Sequence, residues 1–465
     1  MTKKHDLFIE LQRSQILSPK PETELVEPCK INEGISIFSP KEMTYFSSKF
    51  YSSKKSFCFF IPASGSGSRM FDFLHDFLQK PNDENRGKCD ELFKNINSFA
   101  FYHKLSNSVK KKINNSAINL NEFVEHLLYL SINKYENLPK ALFPFHSLGK
   151  ENLTPLQEHI LQGNLLSENA AFHFTIQERH TLIMESSLKE IELQVNRNPI
   201  INLSTQNKES DSYGFLENGE LAFTKNKAPI KFPSGHGSLL SNLQSVSSDL
   251  IFVKNIDNIQ HLSKCKISND VWSQLAGLAI EIKNEIKKLV KTPIFKDLVL
   301  FNERFKLYTE SEMNAMSLNE SIINFLNRPL RICGMVRNEG QVGGAPFFVI
   351  KNGLIQKQII EKLQVDTSDG QSLIFDKSTH FNPVMMVLDI NDKNDQRFNL
   401  NNFIDGDQYL KVKKKYNGMD VYFIESPGLW NGKMAKWNSL FVEISNEVFS
   451  PVKTVLDLIN PAHVP

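Results

Sequence analysis

The sequence comprises 465 residues, with 54 Lys and Arg, 52 Asp and Glu, and five cysteines. This near balance of charge excludes a general attraction to nucleic acid or to a membrane surface, so any affinity for phosphate should be local. The cysteines are scattered and lack Cys-x-x-Cys spacing, which argues against disulfides and structural zinc and favours a reducing, cytoplasmic compartment. No uncharged apolar run approaches the roughly 18 residues of a membrane span.

The first informative stretch is FCFFIPASGSGSRM, which follows an N-terminal arm predicted for residues 1–50. A short apolar run, a Gly/Ser loop and a helical period predict a buried strand, a loop and a helix. Free N–H groups in such a loop can bind an anion, and glycines let it approach closely. A simple turn is the alternative. The predicted anion-binding loop comprises Ala63, Ser64, Gly65, Ser66, Gly67 and Ser68.

Two common phosphate-loop patterns do not fit this loop. It lacks the lysine and the final glycine of the Walker motif. It also fails the dinucleotide-binding pattern Gly-x-Gly-x-x-Gly, because position 70 is Met. A kinase-type loop and a standard dinucleotide site are therefore disfavoured.

A mostly helical insertion is predicted at residues 80–138, followed by NLPKALFPFH with Lys140 between two prolines. A buried lysine would need an anionic partner, because an unpaired ammonium is costly to desolvate. The alternative is a lysine that extends from a loop into solvent.

Helix and strand patterns then alternate from residue 154 to residue 205. This order predicts an α/β fold in which a mostly parallel, Rossmann-like sheet is flanked by helices. The nucleotide-binding core is predicted at residues 51–264, and its ligand should lie at the carboxyl ends of the strands.

A second candidate segment lies at residues 232–258, where a tight loop contains Ser234, Gly235 and His236. A strand predicted at 249–254 is followed shortly by Asp257. A carboxylate beside a phosphate loop suits Mg²⁺, which takes one or two protein carboxylates and completes its shell with water and phosphate. The alternative is that Asp257 caps a turn or a helix.

The rest of the chain is predicted to be a helical insertion at 265–328 and a C-terminal part of the core at 329–465. A Gly-rich loop there contains Asn338 and Glu339, which could bind sugar hydroxyls or lie in solvent. The aromatic segment SPGLWNGKMAKWN could line a pocket or fill an edge of the core.

Taken in order, GSGSRM at 65–70, PKAL at 139–142 and the Gly-His-Gly and Asn-x-Asp-Asn segments resemble the nucleotide-diphospho-sugar transferase superfamily. The resemblance is to its sugar-1-phosphate nucleotidyltransferases and UDP-sugar pyrophosphorylases. Over nearly its whole length the chain is identified as a member of a bacterial family, domain of unknown function 4301. The matching segments are PASGSGSRM, GHGSLLSNL, KNIDN, GMVRNEGQVGGAPF and PGLWNGKMAKWN.

The superfamily resemblance implies a nucleotidyltransferase that joins a nucleoside triphosphate to a sugar-1-phosphate or similar acceptor and releases pyrophosphate. Arg69 would neutralise the leaving pyrophosphate, Lys140 would bind the reacting phosphates and Asp257 would hold Mg²⁺. Ser234, Gly235 and His236 would lie near the base, and Glu339, with Asn338, near sugar hydroxyls.

Two departures from the superfamily pattern matter. About seventy residues separate Arg69 from Lys140, so the insertion must loop out. The second metal-binding acid of the superfamily has no match at its usual place, and the candidate for it is Glu443 on the last apolar strand. A non-catalytic nucleotide or sugar-nucleotide binding protein of the same fold is therefore the alternative. The sequence leaves the base, the sugar and the oligomeric state open.

Overall fold

The computed structural model describes residues 3–132, 138–192, 199–316, 319–341, 343–366 and 369–465. The chain forms two compact units. Unit 1 comprises residues 1–55, 206–251 and 274–444, and unit 2 comprises residues 56–205, 252–273 and 445–465. The strand Leu250–Lys254 and the helix Lys266–Lys291 each begin in one unit and end in the other.

A parallel sheet carries the glycine loop in unit 2. Phe57–Pro62 pairs in parallel with Ala171–Ile176, which pairs in parallel with Ile200–Thr205. The first strand is almost wholly buried, and the rings of Phe59 and Phe172 stack with their centres 5.5 Å apart. A Cβ at Gly163 would lie only 2.6 Å from the Phe172 ring. Glycine at this position therefore lets the helix Pro155–Leu166 pack closely against the strand. The loop thus leaves the carboxyl end of a rigid buried strand.

The helices of unit 2 include a group that follows the glycine loop and packs around its own apolar cluster. That cluster also takes in Phe143 and the C-terminal residues Val452, Val455 and Leu458. The insertion and the C-terminal segment are therefore packed into one core. The described α-helices of unit 2 are Asp72–Gln79, Asp83–Lys94, Asn107–Asn114, Leu120–Glu125, Pro155–Leu166 and Thr181–Glu192, with a π-helix at His126–Ile132 and a short antiparallel pair, His146–Leu148 and Glu151–Leu153.

The main sheet of unit 1 is mixed. Its strand Leu330–Arg337 pairs in parallel with Asn438–Glu443 and antiparallel with Met385–Asp389 and His380–Phe381. Two short N-terminal strands, Gly34–Ser36 and Lys30–Ile31, extend it in parallel beyond Asn438–Glu443.

Antiparallel pairs surround this sheet. Unit 1 further contains the three-stranded sheet Leu25–Pro28, Ala345–Lys351 and Leu354–Ile360, the hairpin Leu410–Tyr416 and Met419–Glu425, and the pair Ser212–Tyr213 and Lys231–Phe232. Its described α-helices are Lys3–Leu17, Pro40–Ser52, Leu240–Gln244, Phe295–Phe305, Glu310–Ala315, Asn319–Leu326 and Asp369–Asp376.

The predicted α/β class is confirmed, whereas the prediction of a mostly parallel sheet needs correction. Parallel pairing holds for the three strands of unit 2, but unit 1 has antiparallel neighbours. The physical reason is that the chain returns to Met385–Asp389 after a hairpin and a short helix, without the crossover that a parallel neighbour requires. Among the described residues, no helix is both long and apolar enough to cross a membrane.

Candidate functional site

The glycine loop of unit 2 is held at both ends and is open between them. The N–H of Ala63 donates to the carbonyl of Thr175 (2.8 Å), and the amide of Gln177 donates to the carbonyl of Ser64 (2.7 Å). In the described part of the chain, no hydrogen bond is made by the N–H groups of Ser64, Gly65 and Ser66. Unpaired N–H groups at the end of a buried strand can donate hydrogen bonds to an anion.

Lys140 reaches this loop although about seventy residues separate it from Arg69. Its N–H donates to the carbonyl of Gly65 (2.9 Å), and Pro139 forms an isolated β-bridge with Ser66. The insertion therefore loops out, as the prediction required. Pro139 and Lys140 lie in extended backbone and a single 3₁₀ turn, Lys140–Leu142, which the following proline-containing segment ends.

Lys140 and Asp257 form an ion pair, and a second lysine shares it. Nζ of Lys140 lies 3.1 Å from Oδ2 of Asp257, and Nζ of Lys453 lies 3.0 Å from the same oxygen. Lys140 also donates to the carbonyl of Val452 (2.8 Å). The exposed fractions of the three side chains are 13% for Lys140, 12% for Asp257 and 64% for Lys453. The pair is thus mostly buried, and Lys453 covers it from the solvent side.

The electrostatics of this cluster favour a charged carboxylate. Burial raises the pKa of Asp257, but the ammonium groups of Lys140 and Lys453 outweigh it and hold the pKa below its usual value. Burial lowers the pKa of Lys140, and the attraction of Asp257 offsets only part of that effect. The nearby positive charges of Lys453 and Arg69 lower it further.

Arg69, Lys140 and Lys453 therefore provide three cations against the one carboxylate of Asp257. The side chain of Arg69 is exposed in the 3₁₀ turn Ser68–Phe71, directly after the loop. A net positive cluster beside unpaired backbone N–H groups is a suitable site for a polyanion such as a nucleotide phosphate chain.

Sequence reasoning missed Lys453 and Gln177. Lys453 lies in the C-terminal segment, and the only local signal is a lysine shortly after a proline, which is too common to be specific. The packing of Val452, Val455 and Leu458 into the core of unit 2 is what brings Lys453 to Asp257.

Among the described residues of this cluster, the acidic side chain that could contact a metal is Asp257. Its Oδ1 accepts no hydrogen bond from a described residue, while Oδ2 accepts from both lysines. The described residues contain no group of three or more His, Cys, Asp or Glu side chains arranged around a metal. One carboxylate with a free oxygen fits Mg²⁺ that takes its other ligands from water and phosphate.

In unit 1 the structure brings together two segments that the sequence singled out, the Gly-His-Gly loop and the aromatic Pro-Gly-Leu-Trp loop. The His236 and Trp430 rings lie 4.4 Å apart, and the N–H of Leu429 donates to Nδ1 of His236 (3.1 Å). Gly235 has a φ of +79°, and a Cβ at Gly237 would lie 1.9 Å from the carbonyl oxygen of Pro427. Both glycines are therefore required for this contact.

A buried arginine stabilises the contact between the His236 and Trp430 loops. Arg331 is fully buried and donates to the hydroxyl of Ser439 (2.7 Å) and to the carbonyl of Trp430 (2.6 Å). Burial lowers the pKa of His236 to about 4, and it raises that of Glu361, whose Oε1 lies 4.0 Å from Nε2 of His236. His236 is therefore neutral at pH 7, with Nδ1 as an acceptor.

A cavity of about 400 Å³ adjoins these loops and is lined by Ser234, Gly237 and Lys433, among others. Burial lowers the pKa of Lys433, for which no ion-pair partner exists among the described residues. This cavity lies wholly within unit 1.

The remaining candidate residues belong to unit 1. Asn338 accepts hydrogen bonds from the N–H groups of Gly340 (3.0 Å) and Gln341 (3.1 Å), so its oxygen shapes a turn, and Glu339 is exposed beside it. Glu443 pairs with Arg337 (3.0 Å), and Nε2 of His380 lies 3.6 Å from it. The sugar-binding and metal-binding roles of these three residues stay predictions.

The family model described as domain of unknown function (DUF4301) matches residues 3–464 of the chain. This match confirms the family identified from the sequence motifs. No curated protein matches the chain.

The solved structures that are similar to the chain include the following two, both at low identity. One, from Entamoeba histolytica, is named as a UDP-N-acetylglucosamine pyrophosphorylase; it is 13% identical over 89% of this chain and 80% of its own, with a TM-score of 0.44. The other is a UDP-glucose phosphorylase from Trypanosoma brucei, 15% identical over 69% of this chain and 60% of its own, with a TM-score of 0.38. Both TM-scores are below 0.5, a level that does not establish a common fold.

Proposed function

The chain belongs to the DUF4301 family, and we propose that it is a nucleotidyltransferase that joins a nucleoside triphosphate to a sugar-1-phosphate or a similar phosphorylated acceptor. The observation that carries this proposal is the convergence of Lys140 and Lys453 on Asp257 beside the open N–H groups of the glycine loop. Net positive charge and unpaired donors at one place are what a triphosphate requires.

In this proposal the loop holds the phosphate chain of the nucleotide through the N–H groups of Ser64, Gly65 and Ser66. An oxygen of the acceptor phosphate attacks the α-phosphorus in line, and the bond from that phosphorus to the oxygen bridging to the β-phosphate breaks. Pyrophosphate leaves with the bonding electrons. Because the acceptor attacks the α-phosphorus directly, no covalent enzyme intermediate is needed. Because the attacking oxygen belongs to a phosphate group, no general base is needed. The contribution of the protein is positioning and charge stabilisation.

Each cation of the cluster has a place in this chemistry. Lys140, which is mostly buried, supplies a fixed charge for the reacting α-phosphate and the acceptor phosphate. Arg69 is exposed at the outer end of the loop and would neutralise the leaving pyrophosphate. Lys453 is exposed and can turn from Asp257 towards a bound phosphate.

Asp257 would hold Mg²⁺ through Oδ1, and the ion would neutralise negative charge on the phosphate oxygens. Asp257 also keeps Lys140 charged and in place when no nucleotide is bound.

The test is pyrophosphate release by the purified full-length chain, with each of the common nucleoside triphosphates and a panel of sugar-1-phosphates, in Mg²⁺ and in excess EDTA. We expect turnover with at least one pair of substrates, and a loss of about a hundredfold in Lys140→Ala, comparable to removal of one transition-state donor. Lys88→Ala is the matched control, because Lys88 is a half-exposed lysine of unit 2 whose ion-pair partner among the described residues is Glu84. Unchanged turnover in Lys140→Ala would contradict the proposal.

The second candidate function is a non-catalytic nucleotide-binding protein. It is favoured by one observation, which is that Oδ2 of Asp257, the candidate metal ligand, accepts hydrogen bonds from two lysines. Calorimetry that shows tight triphosphate binding, equal in Mg²⁺ and EDTA, together with no turnover on the whole panel, would support this candidate over the enzyme.

A further inference from the structure

Unit 1 contains a second cavity, of about 420 Å³, whose lining includes Ala435 and Lys436 of the aromatic segment at 426–438 but none of the candidate site residues. It borders the hairpin Ala345–Lys351 and Leu354–Ile360, the extended segment at 21–23 and the loop at 402–409. Its volume falls in the range of about 300–1,000 Å³ that is typical of small-molecule sites. The cavity is therefore large enough for a monosaccharide-sized ligand.

Part of its lining is a chain of hydrogen-bonded polar side chains. The amide of Gln364 donates to Oε1 of Gln408 (3.0 Å), whose own amide donates to Oδ2 of Asp405 (3.2 Å). Lys351 pairs with Asp405 (3.0 Å) and with Asp407 (3.1 Å). These contacts fix the orientation of the side chains, and each carboxamide keeps further donor or acceptor capacity.

Another part of the lining carries positive charge: no described carboxylate forms an ion pair with Arg328, although the charge of Glu312 acts on it. The guanidinium of Arg328 lies 4.2 Å from the centre of the Phe325 ring, and its Nε donates to the carbonyl of Asn324 (3.1 Å). Its two terminal nitrogens make no hydrogen bond with any described residue. Lys436, also in the lining, is exposed.

We propose that this cavity binds a monosaccharide that carries an anionic group. Sugar hydroxyls both donate and accept, so they match oriented carboxamides and carboxylates, while the fork of the Arg328 guanidinium suits a phosphate or a carboxylate. The lining also contains the carboxylates of Glu22, Asp405 and Asp407, and Lys351 pairs with both aspartates, so the anionic group is expected at Arg328 and Lys436 instead. The site lies wholly in unit 1 and uses neither Lys140 nor Asp257, so it does not depend on the proposed function.

The test is calorimetry on the full-length chain without nucleotide. The probes are the 6-phosphates of glucose, mannose, fructose and N-acetylglucosamine, together with glucuronate, glucose and inorganic phosphate. We expect at least one phosphorylated sugar or glucuronate to bind. Comparing the sugar phosphates with glucuronate shows whether the site prefers a phosphate or a carboxylate. Failure of all of these to bind would overturn the proposal, as would glucose or inorganic phosphate that binds as tightly.

Variants locate the binding. Arg328→Gln should weaken it about tenfold or more, the loss expected for hydrogen bonds to a charged group. Should Arg328→Gln fold poorly, Lys436→Glu reverses an exposed charge in the same lining and should also weaken binding. Lys140→Ala should bind like the wild type. Binding that is lost in Lys140→Ala but kept in Arg328→Gln and Lys436→Glu would overturn this site.

Discussion

Lys453 Nζ lies 3.0 Å from Oδ2 of Asp257, the same oxygen to which Lys140 donates at 3.1 Å. The two lysines come from different chain segments of unit 2 and differ in exposure, at 64% for Lys453 and 13% for Lys140. Because a buried charge cannot exchange its partner for water, Lys140 is bound to Asp257, whereas Lys453 can leave it. The site therefore has one fixed cation and one that is available to a ligand.

Lys453→Ala should weaken binding of the triphosphate by about tenfold, because one charge-assisted contact to phosphate is lost. The free energy of unfolding should change by no more than about 1 kcal/mol, as for other exposed ion pairs. Calorimetric titration with a non-hydrolysable triphosphate and chemical denaturation measure the two effects. Equal affinity in the variant and the wild type would remove Lys453 from the site.

Asp257→Ala should destabilise the protein much more, by about 3 kcal/mol, because it leaves the buried ammonium of Lys140 without its carboxylate. Lys453→Ala is the matched control, since it removes a charge from the same cluster at an exposed position. Urea denaturation of both variants and the wild type at neutral pH gives the comparison. Similar losses in the two variants would show that the buried pair contributes no special stability.

The contribution of Asp257 should also depend on pH. Its folded pKa lies below its unfolded value, so the stability it contributes is complete above the unfolded pKa, about 4, and is lost as pH falls through the folded pKa. The difference in unfolding free energy between the wild type and Asp257→Asn should therefore shrink between pH 6 and pH 3. A difference that is constant over this range would mean that the folded pKa of Asp257 is not lowered.

Gly65→Ala tests whether the loop backbone contacts a ligand. A Cβ at Gly65 meets no atom within 4 Å, and the residue has no positive φ, so the fold should tolerate alanine. Stability should stay level or rise by up to about 1 kcal/mol, through the unfolded state. The Michaelis constant for the triphosphate should nevertheless increase several-fold, because the methyl group occupies the path of the phosphate.

Gly87→Ala is the control for that experiment. Gly87 lies in the helix Asp83–Lys94 of unit 2, and a Cβ there also meets no atom within 4 Å. The Gly87→Ala variant should be as stable as Gly65→Ala, and its Michaelis constant for the triphosphate should equal that of the wild type. Normal kinetics in Gly65→Ala would indicate that the loop is only a turn.

His463 should also make the stability of the protein depend on pH, over a higher pH range than Asp257 does. Its Nδ1 lies 2.9 Å from Nε2 of His146, whose Nδ1 is 2.9 Å from Glu158, and burial lowers the pKa of His463 to about 3. The unfolded chain binds a proton here below about pH 6.5, so this contribution falls as pH drops from 7 towards 4. Thermal unfolding should show a smaller drop from pH 7 to pH 5 in His463→Gln than in the wild type. An equal drop in both would contradict the lowered pKa.

The sequence by itself determined the features that depend on local patterns. The apolar run at 57–62, the loop after it and the helical period beyond it predicted a strand, a loop and a helix, because burial and backbone freedom are set by neighbouring residues. The ordered motifs also identified the family, and the family model matches residues 3–464. The sequence also singled out Lys140 as a lysine that needs an anionic partner if buried, and Asp257 as a candidate Mg²⁺ ligand or a cap.

Only the tertiary structure decided which groups meet. It paired Lys140 with Asp257 across 117 positions and added Lys453 across 196, because packing of the insertion and the C-terminal segment into one core closes both loops. It made the sheet of unit 1 mixed, since strand direction follows from connections rather than composition. It also created the cavity at Arg328, whose lining comes from distant segments that carry no common motif.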